Sequence, residues 1–227
     1  MIPHRGIVNL VCNQNYIELS PNQTLLQLSP LSFDASTFEI WGALLNGGRL
    51  AMMRPQPPSL ADIADALDRY RVTTLFLSTG LFKAMVDEYP NAFKDLDQRV
   101  VGGDVLSPPH ARRELEAMSR GTLINGYGPT ENTTFTCCHR VTLEDTAAKS
   151  IPIGRPLSGV NGYILDCNLS PVADGEAGEI VIGGENLSRG YWNRPELTSE
   201  KFVPNPFVSA PAARLYRSGD LGRFNRA

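Results

Sequence analysis

The chain has 227 residues, 42% of them hydrophobic, and its 21 Lys and Arg against 24 Asp and Glu give a formal net charge of -3. This is the composition of a soluble globular protein. Binding to nucleic acid or to an anionic membrane requires a concentrated excess of Lys and Arg, so we expect neither. No apolar run approaches the roughly 18 residues of a membrane span, and the first residues lack the pattern of a signal peptide. We therefore expect a cytoplasmic protein.

The four cysteines show no C-x-x-C spacing, and the three histidines do not cluster with them. This spacing indicates neither a zinc site nor a disulfide framework. We expect reduced cysteines that pack as small hydrophobic side chains.

Short apolar runs alternate with helix-like stretches from residue 24 to about residue 138. Such alternation predicts an α/β fold with a mainly parallel sheet flanked by helices. The predicted strands cover residues 24–28, 49–53, 73–77, 99–101, 122–124 and 133–138. The predicted helices cover residues 36–46, 59–70, 79–87 and 108–118.

Local sequence signals mark the ends of these helices. The first should stop at Asn46, because two glycines follow and glycine adopts the left-handed conformation without penalty. The second opens on Ser59 with Asp62 three residues later, which is typical of a capped helix start. Ser107 is expected to cap the fourth helix, with proline in its first turn.

After about residue 150 the sequence is punctuated by glycines between short apolar runs such as GYILD and GEIVIGG. This pattern predicts antiparallel strands joined by tight turns. We expect a small, β-barrel-like subdomain here. Its boundary is placed between residues 148 and 149.

Four of the predicted strands are followed by polar or glycine-rich loops, at residues 33–36, 78–80, 102–104 and 125–131. Ligands of parallel sheets bind beyond the carboxyl ends of the strands. These four loops are therefore expected to line one edge of the sheet.

The loop at residues 125–131 is the richest in chemistry. Its two glycines permit close approach by a ligand. Tyr127 offers a flat face for a base, Thr130 a donor for a phosphate oxygen, and Glu131 a hard oxygen ligand for Mg²⁺. Taken alone, the same residues are also compatible with a Gly-Pro turn whose tyrosine is core and whose glutamate caps a helix.

Four segments carry a family resemblance: LSFDASTFEIWGALLNGGRL, INGYGPTENTTF, GEIVIGGENLSRGYWNRPELTSEKF and RLYRSGDLGRF. Their order and spacing resemble the adenylate-forming, AMP-binding superfamily. More narrowly, they are similar to the amino-acid adenylation domains of nonribosomal peptide synthetases. The resemblance extends over nearly all 227 residues.

The resemblance implies a nucleotide site in which Tyr127 stacks on adenine and Asn125 meets its amino group. Thr130 and Glu131 are the implied catalytic residues, contacting a phosphate oxygen and Mg²⁺ respectively. Asp220 would grip both ribose hydroxyls, a role that suits one carboxylate with two acceptor oxygens. A plain Gly-Asp turn is its alternative. The implied nucleotide-binding set is Asn125, Gly126, Tyr127, Gly128, Thr130 and Asp220.

The implied reaction is activation of an amino acid. Its carboxylate attacks the α-phosphate of ATP, pyrophosphate leaves, and an aminoacyl adenylate forms with the help of Mg²⁺. The acyl group then passes to the phosphopantetheine thiol of a partner peptidyl carrier domain, alongside other synthetase modules. An acyl-CoA synthetase-like ligase and a non-catalytic binding remnant of the fold are the alternatives.

The resemblance also implies an acyl pocket. Asp34 would pair with an α-ammonium group, although it is also placed to cap the helix at Ser36. The aligned wall is apolar and predicts a branched aliphatic amino acid, valine or isoleucine and then leucine, with the two glycines leaving depth. Polar substrates are disfavoured because burying them unpaired costs several kcal/mol. Taken one at a time, most of these positions are equally well explained by core packing, and only their joint register with the family argues for a pocket. The wall residues are Ala35, Phe38, Phe76, Val100, Gly102, Gly126, Thr134 and Phe135.

On this resemblance, residues 1–148 form a partial α/β region with the acyl and adenine pocket loops. Residues 149–227 form a β-rich region that ends at the ribose-binding motif. The family's phosphate loop and its lysine-bearing C-terminal subdomain fall outside the 227 residues. We therefore expect a fragment of a longer domain that forms no adenylate by itself.

Overall fold

The computed structural model describes residues 1–53, 57–210 and 212–225. Its helices are α1 (His4–Val11), α2 (Ala35–Leu44), α3 (Leu60–Tyr70), α4 (Thr79–Glu88), α5 (Pro108–Ala117) and α6 (Pro195–Lys201). Its strands are β1 (Thr24–Gln27), β2 (Arg49–Met52), β3 (Thr74–Ser78), β4 (Gln98–Gly102), β5 (Thr122–Tyr127), β6 (Cys137–Arg140), β7 (Arg155–Pro156), β8 (Val160–Leu165), β9 (Gly178–Gly184), β10 (Phe202–Pro204) and β11 (Arg214–Gly222). No helix within these ranges combines the length and apolar character needed to cross a membrane.

The first sheet has the strand order β2-β1-β3-β4-β5-β6-β7. Strands β1 to β5 pair in parallel, and β6 and β7 add an antiparallel end. Neighbouring side chains on its central strands enter opposite layers, as Phe76 and Leu77 show. A sheet that is buried on both faces is typical of parallel α/β architecture. The predicted fold class is therefore confirmed.

The second sheet is antiparallel, with the order β10-β11-β9-β8. It forms the predicted small β region as an open four-stranded sheet. One apolar cluster joins the two sheets, because Phe76 and Val100 of the first pack with Ile182 and Tyr216 of the second. Strand β7 lies after residue 149 yet still pairs with β6 of the first sheet.

Two helix ends form as the sequence predicts. Ser59 accepts a hydrogen bond from the Asp62 N–H while the Asp62 carboxylate accepts one from the Ser59 N–H, which is a complete capping box. Gly47, just after α2, has φ +69°. Ser107 is the N-cap residue of α5 and proline follows it, as predicted, but its side chain makes no capping bond and instead contacts His110 Nδ1 at 2.7 Å.

The predicted strand over residues 133–138 is wrong in its first half. Thr133 and Thr134 have φ values of +55° and +67°, which no strand contains, and β6 begins at Cys137. The Phe135 N–H donates to the Thr133 carbonyl oxygen at 2.9 Å, so the chain turns sharply here. The cysteines also differ from expectation, because Cys167 is exposed.

Candidate functional site

The carboxyl ends of the parallel strands meet at one edge of the first sheet. Ser78 is level with Gly102, and Gly102 with Gly126. The Thr79 hydroxyl donates to the Gly102 and Asp104 carbonyls at 3.2 and 3.0 Å, which ties two of the loops together. The structure thus brings the loops at residues 33–36, 78–80, 102–104 and 125–131 to a common edge.

Asp34 lies at the start of α2, but its side chain caps no helix N–H. Its carboxylate accepts a hydrogen bond from the Thr130 hydroxyl at 2.5 Å, and its carbonyl accepts one from the Thr134 hydroxyl at 3.1 Å. The capping alternative is therefore not the arrangement found. Instead, the carboxylate faces the loop at residues 125–131.

Tyr127 and Asp220 join the two sheets. The Tyr127 hydroxyl donates to the Asp220 carboxylate at 2.6 Å, across 93 positions of sequence. Burial, and then the Asp220 carboxylate, raise the pKa of Tyr127 above its ordinary value. Asp220 lies where the pairing of β11 with β9 shifts register, between Arg217 and Leu221. Bulges of this kind re-aim a side chain, and here the Asp220 carboxylate is aimed at the Tyr127 hydroxyl.

Glu131 lies in a single 3₁₀ turn, Thr130–Asn132. Its carboxylate accepts a hydrogen bond from the Tyr191 hydroxyl at 2.5 Å, and its carbonyl accepts one from the Ser188 N–H at 2.8 Å. Burial, and then the Glu131 carboxylate, raise the pKa of Tyr191. Glu131 therefore belongs to a junction with the segment after β9, and not to a helix cap.

The donor set around Glu131 is compatible with Mg²⁺ that arrives with a nucleotide. The described ranges contain no group of three or more His, Cys, Asp and Glu side chains that could hold a metal ion. Mg²⁺ is usually held by one or two carboxylates together with substrate phosphates and waters, so a dedicated protein cage is not required. Glu131 beside Thr130 provides the single carboxylate.

Asn125 is buried in β5. Its side-chain amide donates to the Pro152 carbonyl at 2.9 Å. This bond fixes the side chain through its nitrogen, and the other end of the amide, Oδ1, is an acceptor suited to an amino group.

Five of the eight predicted wall residues pack in one buried apolar cluster. Phe135 is 2% exposed and lies edge-on to Phe38, with ring centroids 5.6 Å apart, and 5.9 Å from Phe76. Tyr16, which the sequence analysis did not single out, completes the ring cluster at 5.9 Å. The wall residues Ala35, Phe38, Phe76, Val100 and Phe135 all belong to the cluster that joins the sheets.

The two glycines of this wall do not leave open depth, contrary to expectation. A Cβ on Gly126 would lie 2.9 Å from the Phe135 ring, and a Cβ on Gly102 would lie 2.6 Å from the Gly126 carbonyl oxygen. Contacts below 3.0 Å force a neighbour to move. Gly126 is therefore required by the close packing of Phe135 against β5, and Gly102 by the close approach of the β5 backbone to β4.

Comparison with known proteins decides the family. The sequence profile described as "AMP-binding enzyme" matches residues 1–192. The chain belongs to the AMP-binding enzyme family.

This AMP-binding enzyme chain has relatives among peptide synthetases. It is 51% and 53% identical to linear gramicidin synthase subunits B and C of Brevibacillus parabrevis, over 99% of its own length but only 4% and 3% of theirs. Its fold matches holo-PA1221, an NRPS protein containing adenylation and PCP domains, with a TM-score of 0.94 and 41% identity. The fold also matches the N-terminal subdomain of Klebsiella oxytoca NpsA, with a TM-score of 0.91 and 32% identity. The resemblance to adenylation domains of nonribosomal peptide synthetases is thereby confirmed.

The chain spans only part of these relatives. The two matches include 99% of this chain, but only 39% of the holo-PA1221 chain and 57% of the NpsA subdomain. Activities that belong to a whole AMP-binding enzyme are therefore matters for proposal.

Proposed function

We propose that the chain is the part of an amino-acid adenylation domain that binds adenine, ribose, Mg²⁺ and the amino acid. The observation that carries this is that hydroxyls of the loop at residues 125–131 donate to Asp34 and Asp220, while Glu131 of the same loop accepts a hydrogen bond from the Tyr191 hydroxyl. The three carboxylates have distinct partners in this reaction: an ammonium group, a metal ion and a pair of ribose hydroxyls.

On this proposal the nucleotide spans the two sheets. The Tyr127 ring stacks on adenine, Asn125 Oδ1 accepts from the adenine amino group, and the backbone at Gly126 and Gly128 permits close approach. When the nucleotide binds, the Asp220 carboxylate gives up its hydrogen bond from the Tyr127 hydroxyl and accepts hydrogen bonds from the ribose hydroxyls. Its position in the bulge of β11 supports this, because the side chain already points at Tyr127.

Thr130 and Glu131 act at the phosphates. The Thr130 hydroxyl donates to a phosphate oxygen, and Glu131 would hold Mg²⁺. When bound, Mg²⁺ supplies charge neutralisation on the phosphates. Thr130 already donates to Asp34, and this contact supports a phosphate subsite next to the ammonium subsite.

The substrate class follows from Asp34 and the apolar wall. Asp34 pairs with the α-ammonium group of the amino acid, and an uncharged wall that includes Phe38, Phe76 and Val100 favours valine or isoleucine and then leucine. Selection among these three is weak, because one methylene is worth about 1–3 kcal/mol. A peptidyl carrier domain with a phosphopantetheine arm, and other synthetase modules, are the proposed partners.

The 227 residues are proposed to form no adenylate by themselves, since family resemblance assigns the phosphate loop and the key lysine to segments outside them. The test is therefore made in a complete adenylation domain that contains this chain. Amino-acid-dependent exchange of pyrophosphate into ATP is measured with a panel of amino acids and aryl acids.

We expect branched aliphatic amino acids to give the highest exchange, and Asp34→Ala to lose at least tenfold in kcat/KM, roughly the value of a charge-assisted hydrogen bond. Ser32→Ala, at an exposed position just before this loop, is the control. A preference for aspartate, lysine or an aryl acid overturns the substrate class. Activity retained in Asp34→Ala instead supports an acyl-CoA synthetase-like ligase.

A further inference from the structure

The loop between Glu131 and β6 contains a strained turn. Thr133 and Thr134 are consecutive β-branched residues at φ +55° and +67°, and the Phe135 N–H bonds to the Thr133 carbonyl oxygen. A three-residue turn whose central residue has positive φ is rare and strained, and positive φ at a β-branched residue is an outlier. Such conformations persist only where the surrounding structure over-determines them, and they cluster at functional sites.

Contacts from three separate elements hold this turn. The Thr133 hydroxyl donates to the Asn186 carbonyl at 2.6 Å, and both residues are fully buried. The Thr134 hydroxyl donates to the Asp34 carbonyl. From the other side, α1 packs against the Thr133 hydroxyl so closely that a Cβ on Gly6 would lie 2.6 Å from Thr133 Oγ1.

The turn determines where two parts of the candidate pocket lie. Phe135 follows it directly, and its ring is the centre of the aromatic cluster with Phe38 and Phe76. Thr134 holds the backbone of Asp34, whose carboxylate is the proposed ammonium partner. A change in the turn therefore moves the wall and the charged end of the pocket together.

We propose that Thr133 is a positioning residue for selection of the amino acid. Its hydroxyl, clamped between Asn186 and Gly6, fixes the strained turn that places Phe135 and Thr134. The inference rests on the proposed function and extends it to a residue outside the pocket wall.

The test uses substitutions at the two sides of the clamp. Thr133→Val keeps the shape of the side chain but removes the donor, and Thr133→Ser keeps the donor. Gly6→Ala presses on the same hydroxyl from α1, although alanine ordinarily stabilises a helix relative to glycine. Thr142→Val is the matched control, because its hydroxyl bonds Asp145 on the exposed surface.

The measurement is pyrophosphate exchange with valine, isoleucine and leucine in a complete adenylation domain containing this chain, together with the melting temperature. For Thr133→Val and Gly6→Ala we expect the ratio of kcat/KM between the best and the second amino acid to change about fivefold or more, within the range of small pocket changes. The KM for ATP should stay unchanged. Thr133→Ser and Thr142→Val should keep the wild-type ratio.

The Gly6→Ala effect should largely vanish in a Thr133→Ala background, since the pressed hydroxyl is then absent. Lower melting temperatures with unchanged selectivity in both Thr133→Val and Gly6→Ala would show a purely structural role and overturn the proposal. If the wild type activates no amino acid, the proposed function itself is overturned, and the positioning role falls with it.

Discussion

Glu39 is a buried carboxylate that fastens the loop leading to Asp34. It lies in α2 and accepts hydrogen bonds from the Leu28 N–H and from the N–H and hydroxyl of Ser29. Burial raises the pKa of Glu39 from 4.5 to about 7, and the hydrogen bonds from Ser29 and Leu28 oppose the shift. The folded state therefore binds more protons than the unfolded state between these two values, and stability falls as the pH rises through that window.

Glu39→Gln should remove this pH dependence. Each pKa unit corresponds to about 1.4 kcal/mol, so Glu39 lowers the free energy of unfolding by on the order of 3 kcal/mol between pH 4.5 and pH 7. Urea unfolding at several pH values across pH 5–8 measures the slope. Glu88→Gln, on the exposed side of α4, is the control and should keep the wild-type slope. A wild-type slope in Glu39→Gln contradicts the assignment.

At the scale of elements, a buried ion pair fixes α5 against β4. Arg99 Nε lies 2.8 Å from Glu114 Oε1, and the side chains are 0% and 3% exposed. The guanidinium also donates to the Leu96 and Phe93 carbonyls, which lie in the segment between α4 and β4. Burial raises the pKa of Glu114 and lowers that of Arg99, and the attraction between them opposes both shifts.

Glu114→Ala should lower the free energy of unfolding by about 3–5 kcal/mol, because it leaves the Arg99 charge buried without its partner. Glu116→Ala is the matched control on the same helix. Its ion pair with Arg112 is also 2.8 Å long but half-exposed, so the expected loss is below about 1 kcal/mol. Equal losses in chemical unfolding of the two variants would contradict a special role for the buried pair.

The elements show what sequence patterns can and cannot predict. The end of α2 and the capping box of α3 were predicted because Gly47 and the pair Ser59 and Asp62 are local signals. Helix α1 was not predicted, since its first turn has neither an acidic residue nor a side-chain cap. The threonines before β6 favour a strand by propensity, but the bond from Thr133 to Asn186 overrides it.

The same limit applies to the candidate site. Asp34, Tyr127, Thr130 and Asp220 lie in local motifs, so sequence reasoning could single them out. Tyr191 contacts Glu131 across 60 positions of sequence, and Thr133 is held by Asn186 across 53. A local sequence pattern cannot predict contacts between residues so far apart in sequence. The glycine before Tyr191 is the nearest local signal, because its φ of +121° is a conformation that favours glycine.

At the scale of the whole molecule, the shared apolar cluster predicts that the two sheets unfold as one cooperative unit. Phe76 and Val100 pack in the same cluster as Ile182 and Tyr216. The predicted boundary between residues 148 and 149 therefore remains a prediction. Unfolding of one sheet should expose the core of the other.

The two tryptophans can test this cooperativity. Trp41 lies in α2, which packs on β1 and β2 of the first sheet, and Trp192 lies in the segment that joins β9 to α6, a helix in contact with β10 and β11 of the second. In Trp192→Phe the remaining Trp41 reports on the first sheet. In Trp41→Phe the remaining Trp192 reports on the second. We expect the two fluorescence-detected unfolding transitions to have the same midpoint as the far-ultraviolet circular dichroism signal. Separate midpoints would show sheets that unfold independently.

The bond between Tyr127 and Asp220 crosses the seam between these sheets. A ligand that contacts both residues binds only while the seam is closed, so its binding free energy adds to the cohesion of the fold. For the proposed nucleotide, binding and docking of the sheets are then linked, so we expect a higher concentration of ATP to hold the second sheet more firmly on the first.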